Sequence, residues 1–230
     1  MSINLAVISC TRHTEEESKN SSLYRCMDDF KYRGDIIFDF VYENTKGLPE
    51  VYNEKIEQYK NLDINYLVFC HDDVYIDDLK LVEKIMYAKK QLGYDIVGLA
   101  GCLNPRLNNP ALWHIMSERK DHRGQVAHPA SKDSSQTYMT AFGPTPSRVA
   151  LIDGLFMAIH LPSILDKGWR FNENYTFHHY DLASCIDANR KGLKIGVYPI
   201  HVIHQSPGLL SMEDKLWKDS NQKFLQEYAQ

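Results

Sequence analysis

The chain has 230 residues, 43% of them hydrophobic and 24% charged, with a formal net charge of −4. That length suits one large α/β domain better than two small ones, with interior enough to fold without staples. The composition excludes collagen-like, disordered and membrane-spanning classes, and the acidic balance argues against a nucleic-acid binder, which presents a basic surface.

Asn4 to Ser9 is a short apolar run and reads as the first, central strand. Thr11 to Arg25 is polar, and Cys26 to Phe30 reads as a helical turn. Ile36 to Tyr42 is the second strand. After the loop Asn44-Thr45-Lys46-Gly47, Pro49 fits the first turn of a helix whose buried face is Leu48, Tyr52, Ile56 and Tyr59. Tyr66 to Cys70 is continuously apolar, as a parallel strand covered on both faces requires. Asp77 or Asp78 is expected to cap the next helix, which buries Val82, Ile85, Met86 and Leu92 and stops at Gly93. Asp95 to Ala100 is read as one strand. This alternation is the mark of a doubly wound, mostly parallel sheet flanked by helices.

The pattern then breaks. Leu103 to Ser147 is rich in Asn, Pro, Ser and His and is expected to be a long loop, a lid or an acceptor region. Strand-like sequence returns from Arg148 to His160, interrupted at Asp153-Gly154. A helix is expected over Tyr180 to Arg190, stopped by Gly192, then a strand over Lys194 to Tyr198. The tail, Met212 to Tyr228, has helical spacing and is expected to dock on the domain. The organisation is therefore one domain over 1–208 and a C-terminal helix over 209–230.

The five cysteines, Cys10, Cys26, Cys70, Cys102 and Cys185, are odd in number and form no CxxC pair. They point to a reducing compartment, the cytoplasm, rather than to disulfides or a zinc site. The apolar run Ile3 to Ile8 is too short for a signal peptide or a membrane span. The sequons at Asn20 and Asn174 are then chance matches.

The sharpest chemical signal is His71-Asp72-Asp73, directly after the apolar run Tyr66 to Cys70. Ligands of open α/β sheets bind beyond the carboxyl ends of the strands. Two carboxylates about 4 Å apart there repel by on the order of 4 kcal/mol at an effective dielectric near 20. A divalent cation reverses that sign, since magnesium and manganese take carboxylate and phosphate oxygens together. The competing assignment is a turn and a helix cap.

Gly47-Leu48-Pro49-Glu50-Val51-Tyr52-Asn53, followed by Tyr66 to Asp73, resembles the family 2 glycosyltransferases of the GT-A fold. Asn53 matches the family's helix Asn, and Asp72-Asp73 the end of its Asp-x-Asp motif. His71 stands where the first acidic residue usually stands, a departure found in a branch whose motif reads His-Asp-Asp-Val, as His71 to Val74 does. Asp153-Gly154-Leu155-Phe156-Met157-Ala158 resembles the strand beside the acceptor site. Phe171-Asn172-Glu173 with His179-Tyr180-Asp181-Leu182 resembles the segment of the catalytic acid, and Ile203-His204-Gln205-Ser206 that of a late metal-binding His.

The resemblance implies a hexosyltransferase-like enzyme with a nucleotide-sugar donor, most often a uridine diphosphate (UDP) sugar, and a glycan or other hydroxyl acceptor. It implies a divalent metal, manganese first and magnesium second, on Asp73 and His204, with Asp72 on the ribose or assisting the metal. Ser9, Thr11, Asn44 and Asn53 would line the nucleotide pocket, and Asp153 and Gly154 the acceptor side. Asp181 would be the base of an inverting displacement. An ordinary Asp, with a pKa near 3.9, is a weak base for a hydroxyl, so Asp181 must act late or be raised by its surroundings.

Each assignment has a structural alternative. Asp181 is equally placed to cap its helix, Asp153 to serve a turn, and Asn53 to lie on an exposed helix edge. His201 and His204, three apart on an extended segment, face opposite sides and are not expected to share a metal. His178 and His179 likewise diverge. Trp113 and His114 either stack on a sugar or simply pack. Two other functions compete. A nucleotidyltransferase would carry a Gly-rich loop after the first strand, where Ser9-Cys10-Thr11-Arg12-His13 has no Gly. A non-catalytic sugar-nucleotide or carbohydrate-binding protein would not need both Asp73 and Asp181.

Overall fold

The computed structural model describes residues 4–131, 134, 136–206 and 212–229. β1 (Leu5–Cys10) leads to two short helices, α1 (Glu15–Ser18) and α2 (Ser22–Cys26). They start at Thr14 and Ser21, whose hydroxyls accept the N–H groups of Glu17 and Tyr24. β2 (Ile36–Val41) feeds α3 (Leu48–Tyr59), which has Pro49 in its first turn. β3 (Tyr66–Cys70) is wholly buried and turns through His71 to Asp73 into β4 (Val74–Ile76). α4 (Leu81–Leu92) ends on Gly93 in the left-handed region, at φ 75°. β5 (Ile96–Gly98), β6 (Ala100–Cys102), β7 (His122–Pro129), β8 (Thr137–Gly143), β9 (Ser147–Arg148), β10 (Leu151–Ile152) and β11 (Phe156–His160) follow. The chain closes with α5 (Leu161–Asp166), α6 (Tyr180–Arg190), β12 (Ile195–Val197), β13 (Val202–His204) and α7 (Lys215–Tyr228).

The main sheet has the order β2-β1-β3-β11-β5-β12-β9. β1, β2 and β3 pair in parallel, as do β5 and β12, while β11 and β9 run against their neighbours. The fold is the Rossmann-like α/β arrangement of the GT-A type that the resemblance implies, but its sheets are mixed rather than mostly parallel, because β11 and β9 run against their neighbours. A second sheet, β10-β6-β7-β13-β4 with β8 on β7, stands at the end where β3 finishes. Its pairing of β13 with β4 sets His204 opposite Val74, and so beside Asp73.

Several sequence expectations are corrected. Asp77 and Asp78 do not cap α4, because the helix starts later and Lys80 takes the N-cap position. Asp78 is instead buried, accepting from Lys84 Nζ at 2.5 Å and from the N–H of His201 at 3.0 Å, which fastens α4 to the segment before β13. The single strand expected over Asp95 to Ala100 divides at Leu99, its halves entering different sheets. Leu103 to Ser147 is not a structureless loop: β7 and β8 form a hairpin that enters the second sheet through β6 and β13.

α7 docks as expected, burying Trp217, Phe224 and Tyr228. Its Ser220 hydroxyl donates to the His178 carbonyl, Asn221 accepts the Ala111 N–H, and the Tyr228 hydroxyl donates to Asp187. It thereby ties the segment before α6 to the long insertion. All five cysteines are free. Among the described residues no helix is long and apolar enough to cross a membrane.

Candidate active site

β3 delivers His71, Asp72 and Asp73 to the mouth of the main sheet, and β13 brings His204 alongside. One ligand atom each from His71, Asp73 and His204 lies within 4.8 Å of the others. His204 Nε2 is 3.4 Å from Asp73 Oδ2, while Asp73 Oδ1 is buried with no partner among the described residues. A buried carboxylate oxygen without a donor is costly unless a cation meets it. The residues therefore fit a metal ion: two imidazoles, one carboxylate and an unspent oxygen.

Electrostatics agree with that placement. Burial pushes the Asp73 carboxyl up, but the rings of His204 and His71 outweigh it and hold it below its ordinary value. His204 is drawn down by burial and raised further by Asp73, ending above its usual value. Burial keeps His71 below its own, the direction that favours the neutral imidazole, which has one ring nitrogen free to act as a ligand. His128, from the hairpin, stands just outside, its ring 5.8 Å from that of His204.

His71 also lines a cleft of about 210 Å³ that holds Asp153, Gly154 and Asp181 on its floor. Asp181 sits in the first turn of α6 but does not cap it: His179, at φ 63°, occupies the N-cap. The Asp181 carboxylate accepts the N–H of Gly154 and that of Leu182, each at 2.9 Å. Burial, and then the neighbouring charge of Asp153, push its carboxyl up to about 7 despite those two bonds. Asp153 accepts from the Trp113 indole at 2.9 Å and from its own Leu155 N–H at 3.1 Å. Gly154 permits the approach. A Cβ there would stand 2.6 Å from the Tyr180 hydroxyl and 3.0 Å from Asp181 Cβ. The Tyr180 hydroxyl donates to the Gly154 carbonyl and lies 3.4 Å from His71 Nε2, linking the His71–Asp73–His204 cluster to the carboxylate pair.

The remaining predicted residues divide. Ser9 and Thr11 are buried at the carboxyl end of β1. Ser9 Oγ has no partner among the described residues, and Thr11 Oγ1 accepts the His13 N–H at 3.2 Å. The Asn44 N–H donates to the Thr11 carbonyl, which brings the loop to the same end, while the Asn44 side chain closes a turn on Lys46. Asp72 adds its charge to that end, where burial first and nearby carboxylates after it push Cys10 up to about 12. Asn53 is not gathered with them. Its amide is engaged by Phe171 through both backbone groups and by Glu173, so it braces the segment that leads to α6. His201 pairs with Asp77 at 3.2 Å and is not part of the His71–Asp73–His204 cluster.

Residues that sequence reasoning missed are His71 as a member of the candidate cluster, Trp113 as the donor to Asp153, and Tyr180. The signal for His71 was present, a histidine at the strand end beside two carboxylates. For Trp113 and Tyr180 there was none beyond residue type.

Residues 6–228 match the family model described as a glycosyltransferase-like family. No curated protein matches the chain. Among solved structures, the crystal structure of A197 from STIV superposes with a TM-score of 0.51 over 93% of this chain and 100% of that one, at 12% identity. At that identity the likeness is one of fold.

Proposed function

This chain belongs to the glycosyltransferase-like family, and on that premise we propose that it is a metal-dependent, inverting transferase that moves a sugar from a nucleoside diphosphate, UDP first, to a hydroxyl acceptor. The observation that carries the reading is the junction at His71, which belongs both to a three-ligand cluster at the sheet mouth and to the cleft with the Asp153–Asp181 floor.

His71, Asp73 and His204 would hold the ion. Two imidazoles with one carboxylate suit manganese and its first-row neighbours better than magnesium, which prefers oxygen ligands and keeps its waters. The ion supplies Lewis-acid stabilisation of the leaving diphosphate. Ser9, Thr11, Asn44 and Asp72 flank the adjoining end of β1 and are assigned to the nucleoside. Asp181 takes the acceptor proton as the acceptor oxygen bonds the anomeric carbon and the bond to the diphosphate breaks. A carboxylate raised to about 7 meets the demand for a stronger base than an ordinary aspartate. Asp153, held by the Trp113 indole, is assigned to an acceptor hydroxyl. The free thiols fit a cytoplasmic setting.

The test is release of nucleoside diphosphate from a panel of sugar nucleotides with manganese, with and without glycan acceptors. Absence of release from every donor sinks the reading in favour of a non-catalytic binder. Gly154→Ala is expected to lower turnover about 10²-fold or more, the scale of misplacing a reacting group by about 1 Å. The Cβ drives Tyr180 and Asp181 apart from their partners, and the circular dichroism spectrum should stay that of the folded protein. Unchanged turnover would show that the close packing at Gly154 has no part in catalysis.

A further inference from the structure

The cleft beside the metal triad has a charge pattern that the reaction alone does not require. Its floor carries two carboxylates, Asp153 and Asp181, and among the described residues no lysine or arginine lines it. Every histidine on its walls, His71 included, is drawn towards the neutral form by burial. Burial draws His114 and His178 below their ordinary values and takes His179 down to about 4. The negative field is felt by Asp181, which burial and Asp153 together push up to about 7.

Above that acidic floor the walls are apolar. Trp217 is buried along one side, and Phe177 and Met212 stand at the rim with 42% and 41% of their surfaces exposed. Large apolar side chains left open around a polar floor mark a surface kept for a ligand. A pyranose ring matches this arrangement, offering carbon-bound hydrogens to the rim and hydroxyl donors to the carboxylates. Carboxylates accept hydrogen bonds and donate none. A ligand carboxylate or phosphate would bring only further acceptors and like charge.

Resting on the transferase reading of the same site, we propose that the acceptor is a glycoside without negative charge, neutral or amino-bearing, and that the cleft rejects uronates and sugar phosphates. The Asp153–Asp181 floor is the selecting element, and the Phe177, Met212 and Trp217 surfaces supply sequence-tolerant grip.

Three matched probes separate charge from shape: methyl β-glucopyranoside, its 2-amino analogue and methyl β-glucuronide. Binding is followed by tryptophan fluorescence at pH 7.5 with and without manganese, because a cation held by His71 at the edge of the cleft offsets part of the floor's charge, so the gap should be wider without it. The neutral and amino sugars are expected to bind at least about tenfold more tightly than the glucuronide, the scale of one close like-charge contact partly screened by solvent. Asp153→Asn should shrink that gap to about threefold or less. Raising the salt from about 50 to about 500 mM should shrink it in the unaltered protein, which keeps the test independent of how the variant folds. Glucuronide binding as tight as the glucoside, no binding of any of the three, or a gap indifferent to salt overturns the proposal. Donor hydrolysis measured on the same sample keeps the two readings apart. A charge gap without hydrolysis removes the transferase assignment and leaves the selectivity, and hydrolysis without a gap does the reverse.

Discussion

Replacing Asp73 by alanine is expected to weaken manganese binding by about 10²-fold or more and to lower nucleoside diphosphate release by about 10³-fold. Asp73 is the one carboxylate in the three-ligand cluster, and its Oδ1 is the buried oxygen that nothing else among the described residues satisfies. Its loss leaves His71 and His204 as neutral donors with no charge to offset that of the ion. The informative control is Asp72→Ala. Asp72 is the neighbouring carboxylate, yet it lies outside the cluster, so manganese affinity should be nearly unchanged while nucleotide binding weakens. Electron paramagnetic resonance of added manganese reads the affinity directly. Full affinity in Asp73→Ala, or equal losses in the two variants, would remove the cluster from the mechanism.

Much of this architecture is legible in the sequence, and what is not has identifiable causes. β3 and α6 begin and end where the sequence says. One is a continuous apolar run of strand length, and the other is bounded by a polar segment and a glycine. β4 and β13 are three residues each and carry no periodicity; they exist because they pair with each other. The β7–β8 hairpin was hidden for a related reason. Most of β8 is exposed on both faces, so the alternation that marks a half-buried strand never develops. β8 pairs with β7, and it is β7 that pairs in turn with β6 and with the distant β13. The site divides in the same way. Asp73 and Asp181 stand at element ends where chemistry is expected, and residue type and position are enough to single them out as candidates. The cluster that includes His71 depends on His204 arriving from β13. Asn53 is a polar residue on a helix, and only the fold shows that its amide is used up on Phe171.

Asp181→Asn is expected to lower sugar transfer by about 10²–10⁴-fold, the range of losing a positioned general base, while donor affinity stays near that of the unaltered protein. The amide keeps the volume of the carboxylate and can still accept one of the two N–H groups, from Gly154 or Leu182, that Asp181 now satisfies. The pH dependence makes the assignment sharper. Because the carboxyl is raised to about 7, transfer by the unaltered protein should fall as the pH drops below about 7, where the base is increasingly protonated. Burial is the first cause of that rise and Asp153 the second, so Asp153→Asn should move the acid limb down by about one unit, the shift expected of one nearby carboxylate. Stability supplies an independent readout with the opposite sense. A carboxyl whose folded pKa lies above its unfolded value favours the native state while protonated. That contribution is therefore lost as pH rises from about 4 to about 7, by at most about 1.4 kcal/mol per pH unit. Urea unfolding should show the unaltered protein losing ground to Asp181→Asn across that window. An acid limb near 4, or one that Asp153→Asn does not move, would mean that the proton leaves by another route.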